Sequence, residues 1–434
     1  MTELLSPAGT LKSMRYAFAY GADAVYVGQP RYSLRVRNNE FNKPENLAAA
    51  IDEAHALGKK VYVASNVAPH NDKLRSYIRD MEPIVAMHPD ALIMSDPGLI
   101  MLVREQFPDM PVHLSVQANA VNWATVKFWQ QQGLERVILS RELSLDEIEE
   151  IRQRVPEMEL EVFVHGALCM AYSGRCLLSG YINHRDSNQG ACTNACRWEY
   201  NAHEAVETET GDLVPVQQVD PATDAPEPML LQEKSRPGEL IPVYEDEHGT
   251  YIMNSKDLRA VQHVQRLVQM GVHSLKIEGR TKSHYYVART AQVYRRAIDD
   301  ALAGREFNFE LMDNLEHLAN RGYTEGFYRR HVPSEFQNYE KGVSSNPNQQ
   351  FVGEALEIGD GWMTIDVKNR FELGDQLELI TPSGNHLFRL DLLQDRDGQA
   401  IEAAPGSGHV VRVPLPVDVP ESARGYTMLM RYIN

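Results

Sequence analysis

Four cysteines, Cys169, Cys176, Cys192 and Cys196, are the whole thiol complement of this 434-residue chain, and they fall within 28 residues of one another. Their spacing is Cys-x6-Cys-x15-Cys-x3-Cys. In an exported protein they would suggest two disulfides; in a reducing compartment, clustered thiols more often serve as metal ligands or redox groups. Four soft thiolates suit zinc or an iron–sulfur cluster. Structural zinc favours pairs with two to four intervening residues, and the first gap breaks that rule. The common ferredoxin spacings do not match either. Spacing by itself therefore leaves an iron–sulfur cluster, zinc, and redox or unliganded thiols all open.

The other residues able to do chemistry follow short apolar runs. They include Ser65-Asn66, Ser95-Asp96, Ser115, Gln117 and Asn119, Ser140-Arg141-Glu142, His165, and Lys276, Glu278 and Arg280. One apolar run ending in polar residues means little, but six ending alike suggest a lined pocket. Arg141, Lys276 and Arg280 could bind an anion, with Gln117 and Asn119 as further binding groups. His165 and Glu278 are the candidates for proton transfer. Each has a plainer reading: a hydrogen-bonded core histidine, a salt-bridged Glu278–Arg280 pair, a lysine inside the fold, amides capping neighbouring loops. Arg175 and Arg197 flank the cysteines and suit either cluster charge or an oxyanion. Tyr172, Tyr181 and Trp198 are aromatics close to the cysteines in sequence.

Eight apolar runs would position these groups: Leu4–Leu5, Ala24–Val27, Lys60–Ala64, Ala91–Met94, Val112–Val116, Arg136–Leu139, Leu160–Val164 and His273–Ile277. Several are nearly continuous in apolarity, as expected where both faces of a sheet are covered. Amphipathic stretches lie between them: Leu11–Tyr20 after Thr10, Asn46–Leu57, Trp123–Gln132, Leu145–Arg154 with a Ser144/Glu147 capping box, and Lys256–Met270. Eight βα repeats fit a TIM-like (β/α)8 barrel better than an open doubly wound sheet, and functional groups then gather at the C-terminal ends of the strands. The barrel is expected over residues 1–330, with a cysteine-bearing insertion at 166–250. Residues 201–250 are acidic, hold six prolines and read as a mobile loop or irregular insertion. Asn308–Gly326 reads as helical and 331–350 as a linker. Residues 351–434 alternate in short runs between turns, the pattern of a small all-β barrel module.

The hydrophobic fraction of 43% and the charged fraction of 24% are ordinary for a globular protein. No run reaches the length of a membrane span and no secretory leader is visible, so the expected compartment is the cytoplasm. The net charge of −17 argues against a nucleic-acid partner if taken whole, but residues 201–250 alone carry −10. Local cations remain at Arg31/Arg35/Arg37, Lys276/Arg280/Lys282, Arg295/Arg296 and Arg329/Arg330, and each could meet a phosphate. No Gly-x-Ser-x-Gly elbow, His-Glu-x-x-His site, P-loop or dinucleotide fingerprint occurs.

The stretch Glu161-x-Phe163-x2-Gly166-Ala-Leu-Cys169-x4-Gly174-x-Cys176-x-Leu178-Ser179 resembles the signature of the collagenase-like U-type peptidase family at every position. Leu5 to Gly9, Tyr26-x-Gly28, Ser115-x-Gln117, Lys276 to Arg280 and the C-terminal module look like this family too, so the resemblance spans nearly the whole chain. Within the family the chain looks most like members that modify tRNA. The resemblance implies a 4Fe-4S cluster on Cys169, Cys176, Cys192 and Cys196. It also implies a tRNA anticodon as partner, prephenate as co-substrate, and hydroxylation of the wobble uridine to 5-hydroxyuridine without molecular oxygen. Two other readings compete: a peptidase with a cysteine nucleophile, and a non-catalytic iron–sulfur accessory protein. Fully ligated cysteines would not be free nucleophiles, which weighs against the first.

Overall fold

The computed structural model describes residues 2–29, 31–34, 39–168, 256–316 and 349–433, with shorter stretches at 205–207, 213–215, 229–232, 240–246, 249–251, 318, 320 and 322–329. Seven parallel strands lead the chain: β1 (Glu3–Pro7), β2 (Ala24–Gly28), β3 (Lys60–Ser65), β4 (Ala91–Met94), β5 (Val112–Leu114), β6 (Arg136–Ile138) and β7 (Glu159–Ala167). Between them run α1 (Leu11–Ala19), α2 (Pro44–Ala56), α3 (Asn71–Val85), α4 (Pro97–Gln106), α5 (Trp123–Gln131) and α6 (Leu145–Arg154). Each of the eight apolar runs of the sequence overlaps a strand, with the end residues Val116, Leu139 and His273 falling just outside.

Five short strands of the insertion follow: β8 (Ala205–Glu207), β9 (Leu213–Pro215), β10 (Met229–Gln232), β11 (Leu240–Asp246) and β12 (Gly249–Tyr251). They pair antiparallel, β8 with β9 and β11 with both β10 and β12, so the expectation of a wholly irregular 201–250 is corrected. Proline can sit at strand ends and edges without breaking a ladder. The chain re-enters the main sheet at β13 (Asp257–Arg259), then α7 (Val264–Gln269) and β14 (Ser274–Ile277). β14 pairs in parallel with both β7 and β1, and this closes the barrel.

The single helix expected over Lys256–Met270 is therefore a strand, a 3-10 turn at Val261–His263 and the short α7. β7 runs past the end of its barrel partner, and its overhanging backbone groups need bonds. β13 supplies them in antiparallel register, Asp257 opposite Ala167 and Arg259 opposite His165. α8 (His284–Leu302) packs outside the closure. The helix expected over Asn308–Gly326 shortens to α9 (Glu310–Glu316), because Tyr323–Thr324 forms β15 beside β13.

The remaining strands form the C-terminal module: β16 (Gln349–Gly359), β17 (Trp362–Val367), β18 (Phe371–Glu372), β19 (Gln376–Thr381), β20 (Gly384–Arg389), β21 (Gln394–Asp395), β22 (Ala403–Ala404), β23 (Val410–Pro414) and, after α10 (Glu421–Arg424), β24 (Met428–Tyr432). Seven make an antiparallel sheet in the order β20-β19-β24-β16-β17-β23-β21, while β18 and β22 pair separately. The module has its own core and also docks on the barrel. Buried Arg289 of α8 meets buried Glu378 at 3.2 Å, and Tyr20 donates to the Tyr426 carbonyl at 2.7 Å. Among the described residues, no helix is long and apolar enough to cross a membrane.

The floor of the barrel interior is charged. Arg136, 4% exposed, meets Glu3 at 2.6 Å, Glu159 at 2.8 Å and Glu161 at 3.1 Å. Lys276 donates to the other oxygen of Glu161 at 2.8 Å, and Glu3 also accepts from Tyr62 at 2.7 Å and Ser274 at 3.0 Å. Burial pushes the Glu3 carboxyl up, but the Arg136 charge and hydrogen bonds outweigh it and leave the group below its ordinary value. Beside them His113 is buried and held well below its ordinary value by desolvation, then by the Arg136 and Lys276 charges. Removing one member of such a network strands buried charge. Arg136→Met is expected to cost about 3–5 kcal/mol, read as a lower urea midpoint, with partial recovery in Arg136→Lys; an unchanged midpoint would contradict a stabilising role.

Candidate active site at the mouth of the barrel

At the strand C-termini the first residues past each strand are polar, and backbone groups fix how they point. Beyond β3, Asn66 accepts from the Leu34 backbone N–H at 3.2 Å through Oδ1. Its Nδ2 therefore faces the opposite way and donates to Gln117 Oε1 at 2.9 Å and Ser115 Oγ at 3.2 Å. Gln117 lies in a 3-10 turn, Val116–Ala118, directly after β5. That turn ends at Asn119, whose backbone is left-handed (φ 53°, ψ 50°), a conformation asparagine tolerates better than most residues. Asn119 Nδ2 donates to the Gln117 carbonyl at 2.8 Å. The Ser115–Gln117–Asn66 cluster thus ties the ends of β3 and β5 together.

Across the mouth, Arg141 after β6 lies over the Phe163 ring with its guanidinium carbon 3.7 Å from the centroid. Its Nη2 is 3.3 Å from the Glu278 carboxylate, and both side chains are 12% exposed. Arg280 is buried and donates to Ser33 at 2.8 Å. It passes so close to Gly28 that a β-carbon there would lie 1.9 Å from its Nη1, so only glycine lets the guanidinium cross the end of β2. Asn39 holds the same turn by donating to the Gly28 carbonyl at 2.7 Å. The mouth therefore combines a guanidinium stacked on a buried aromatic ring, a second guanidinium, a carboxylate and an oriented amide cluster. Such groups can bind a planar base and a carboxylate-bearing molecule together.

Two expected site residues are elsewhere. Lys276 is 4% exposed and bonded to Glu161 below the mouth, with its ammonium 4.4 Å from the Tyr26 ring, so its charge is matched inside the core. The plain reading, a lysine inside the barrel, replaces the anion-binding one. His165 is displaced by a register shift. Phe163 stands opposite Lys276, but His165 stands opposite Ile277, so one extra residue on β7 turns the imidazole out of the barrel. There it packs against Tyr286, Tyr294 and Tyr323 and lies 3.3 Å from the Tyr294 hydroxyl. Desolvation lowers its pKa to about 3, although the Asp257 charge acts the other way. It is a neutral packing residue, not a proton-transfer group at the mouth.

Gln117, Asn119, Arg141, Glu278 and Arg280 all lie at the strand ends, where the sequence reading expects them. Cys169, Cys176, Cys192, Cys196, Tyr172 and Arg175 lie outside the described residues. The described chain does deliver both ends of the insertion to one edge: Leu168 precedes Cys169, and returning Asp257 stands opposite Ala167. Ser33 and Phe163 line the candidate site as well; Phe163 enters the sequence analysis only as a position of the family signature, and Ser33 not at all, the Gly28 turn being the one available hint of it.

Comparisons with known proteins agree with this architecture. The model for peptidase family U32 matches residues 9–338, and that for the peptidase family U32 C-terminal domain matches residues 347–427. The tRNA hydroxylation protein P of Escherichia coli (strain K12) is 66% identical, covering 99% of this chain and 96% of that protein. Its namesake in Haemophilus influenzae (strain ATCC 51907 / DSM 11121 / KW20 / Rd) is 62% identical with the same coverage. The 23S rRNA 5-hydroxycytidine C2501 synthase of Escherichia coli (strain K12) is 29% identical over 87% of this chain and 52% of its own length.

The buried imidazole has a measurable consequence. A folded-state pKa of about 3 for His165, below the unfolded value, means that its contribution to stability is complete above about pH 6.5 and declines as pH falls toward 3. The slope is at most about 1.4 kcal/mol per pH unit. Imidazole nitrogen shifts should report a neutral His165 at pH 5; an ionisation between pH 5 and 8 would refute this placement.

Proposed function

The chain belongs to peptidase family U32, and on that premise we propose that it is an RNA-modifying enzyme that hydroxylates tRNA. The observation that carries this reading is the 66% identity, over 99% of the chain, to a protein named for tRNA hydroxylation. The finer reading is conversion of the wobble uridine to 5-hydroxyuridine, without molecular oxygen and with prephenate as co-substrate. A second relative named for 5-hydroxycytidine formation supports carbon 5 of a pyrimidine as the reacting position.

A ring carbon cannot be reached inside a stacked anticodon, so the base must be turned out into a pocket. Phe163 with Arg141 gives a flat surface on which it can rest. Arg141 and Arg280 present planar donors suited to the two carboxylates of prephenate. Glu278, held beside Arg141, is the proposed proton-transfer group. Tyr172 and Arg175, next to the first two cysteines in sequence, are proposed as further contacts to substrate.

Cys169, Cys176, Cys192 and Cys196 are proposed to hold a 4Fe-4S cluster. The donor set fits in chemistry and number, since such clusters take four thiolates. Both ends of the segment bearing them join the barrel at one edge. When bound, such a cluster would supply electron transfer or Lewis acidity. A cysteine peptidase would instead need a free thiolate and a base nearby. His165, the imidazole nearest Cys169 in sequence, is turned away behind the sheet, which disfavours that reading.

Anaerobically purified protein should be brown and contain about four iron and four sulfide per chain. Single Cys→Ala variants at the four positions should lose the colour and the hydroxylation of tRNA when reconstituted with prephenate. Zinc in place of iron, or full activity in iron-free protein, would refute the cluster. Arg141→Lys, which keeps the charge and loses the planar fork, should lower kcat/KM by roughly tenfold; unchanged kinetics would remove Arg141 from the site.

A further inference from the structure

The amide cluster at the mouth leaves one donor and one acceptor unused, and their orientations are fixed. The Leu34 N–H can only donate, so Asn66 must present its oxygen there and its amino group to Gln117. Gln117 must then turn its own oxygen toward Asn66, which sends its Nε2 amino group the other way, where it makes no hydrogen bond among the described residues. The Gln117 carbonyl can only accept, so Asn119 must give it Nδ2. That leaves Asn119 Oδ1 buried and without a hydrogen-bond partner. A buried acceptor left unpaired carries a desolvation cost, and a ligand bringing an N–H removes it. The cost is retained at a residue that also takes up left-handed backbone.

We propose that Gln117 Nε2 and Asn119 Oδ1, one donor and one acceptor two residues apart on the turn after β5, read the adjacent C=O and N–H of the uracil ring. The proposal rests on the tRNA-hydroxylation reading above and adds the means by which the base is chosen. Uracil offers O4 to the amino group and N3–H to the oxygen. Cytosine reverses both: its N4 amino group would face Gln117 Nε2, donor to donor, and its bare N3 would face Asn119 Oδ1, acceptor to acceptor. A polar site built for one pattern rejects the reverse strongly, because the buried groups are then left unpaired. Both amides are specificity-determining rather than catalytic, since neither needs to exchange a proton.

The test uses the full-length holoprotein and two tRNA transcripts that differ only in uridine or cytidine at the wobble position. Wild type should bind the uridine transcript at least about tenfold more tightly. Asn119→Gly suits the left-handed backbone and removes the acceptor. It should weaken binding of the uridine transcript without weakening that of the cytidine transcript, so that the preference shrinks. A merely structural role would weaken both transcripts equally, and that outcome overturns the proposal, as does an intact preference in Asn119→Gly. Equal binding of the two transcripts by wild type overturns it while leaving tRNA recognition standing. Failure of wild type to bind either transcript overturns the tRNA reading and this inference with it.

Discussion

The structure depends on β14 fitting between β7 and β1. Those two strands belong to one continuous run of βα units, but β14 arrives only after the whole cysteine-bearing insertion. Its backbone bonds alone do not fix which residues face inward. The charged floor does: Lys276 of β14 reaches Glu161 of β7, Glu161 reaches Arg136 of β6, and Arg136 reaches Glu3 of β1. A one-residue slip of β14 would turn Lys276 outward and leave Glu161 short of a charge partner. The network is thus a register lock. Its cost in desolvation is offset by pairing that only the closed ring provides.

Closing the ring also creates the mouth. Glu278 and Arg280 follow β14 directly, so the strand that locks the floor delivers the carboxylate to Arg141 and the guanidinium across Gly28. The same edge receives both ends of the insertion. Stability and candidate chemistry are therefore carried by one strand and the residues directly after it, in a barrel class whose C-terminal face is the one that works.

Much of this was legible in the chain. The eight strands were visible because residues such as Ala24 to Val27 are buried on both faces and so are apolar without alternation. The polar residues after β5, β6 and β14 were visible as breaks in that apolarity. His165 was misjudged because a β-bulge reverses the inward–outward alternation that Glu161 and Phe163 begin, and no residue type announces it. Lys276 was misjudged because a cation at the mouth and one on the floor differ only by their partners, and Glu161 lies far away in sequence. The short β13 was read as helix since its pairing with the overhang of β7 is a tertiary demand.

An acidic protein that handles tRNA needs a particular division of labour. More than half of the net charge of −17 belongs to residues 201–250, so the remainder is only mildly acidic, yet it is not a basic surface. Affinity built on counterion release would demand many phosphate-facing cations. The described mouth instead holds few cations, already oriented by Glu278 and Ser33, beside neutral amides locked by backbone groups. Neutral hydrogen-bonding groups add little to long-range attraction but discriminate strongly once water is excluded. A site of this composition gains from a base that is already turned out and penalises one that presents the wrong edge. On the proposed function, selectivity therefore resides in the rigid strand ends, and the tRNA backbone needs only enough cationic contact to bring the base to them.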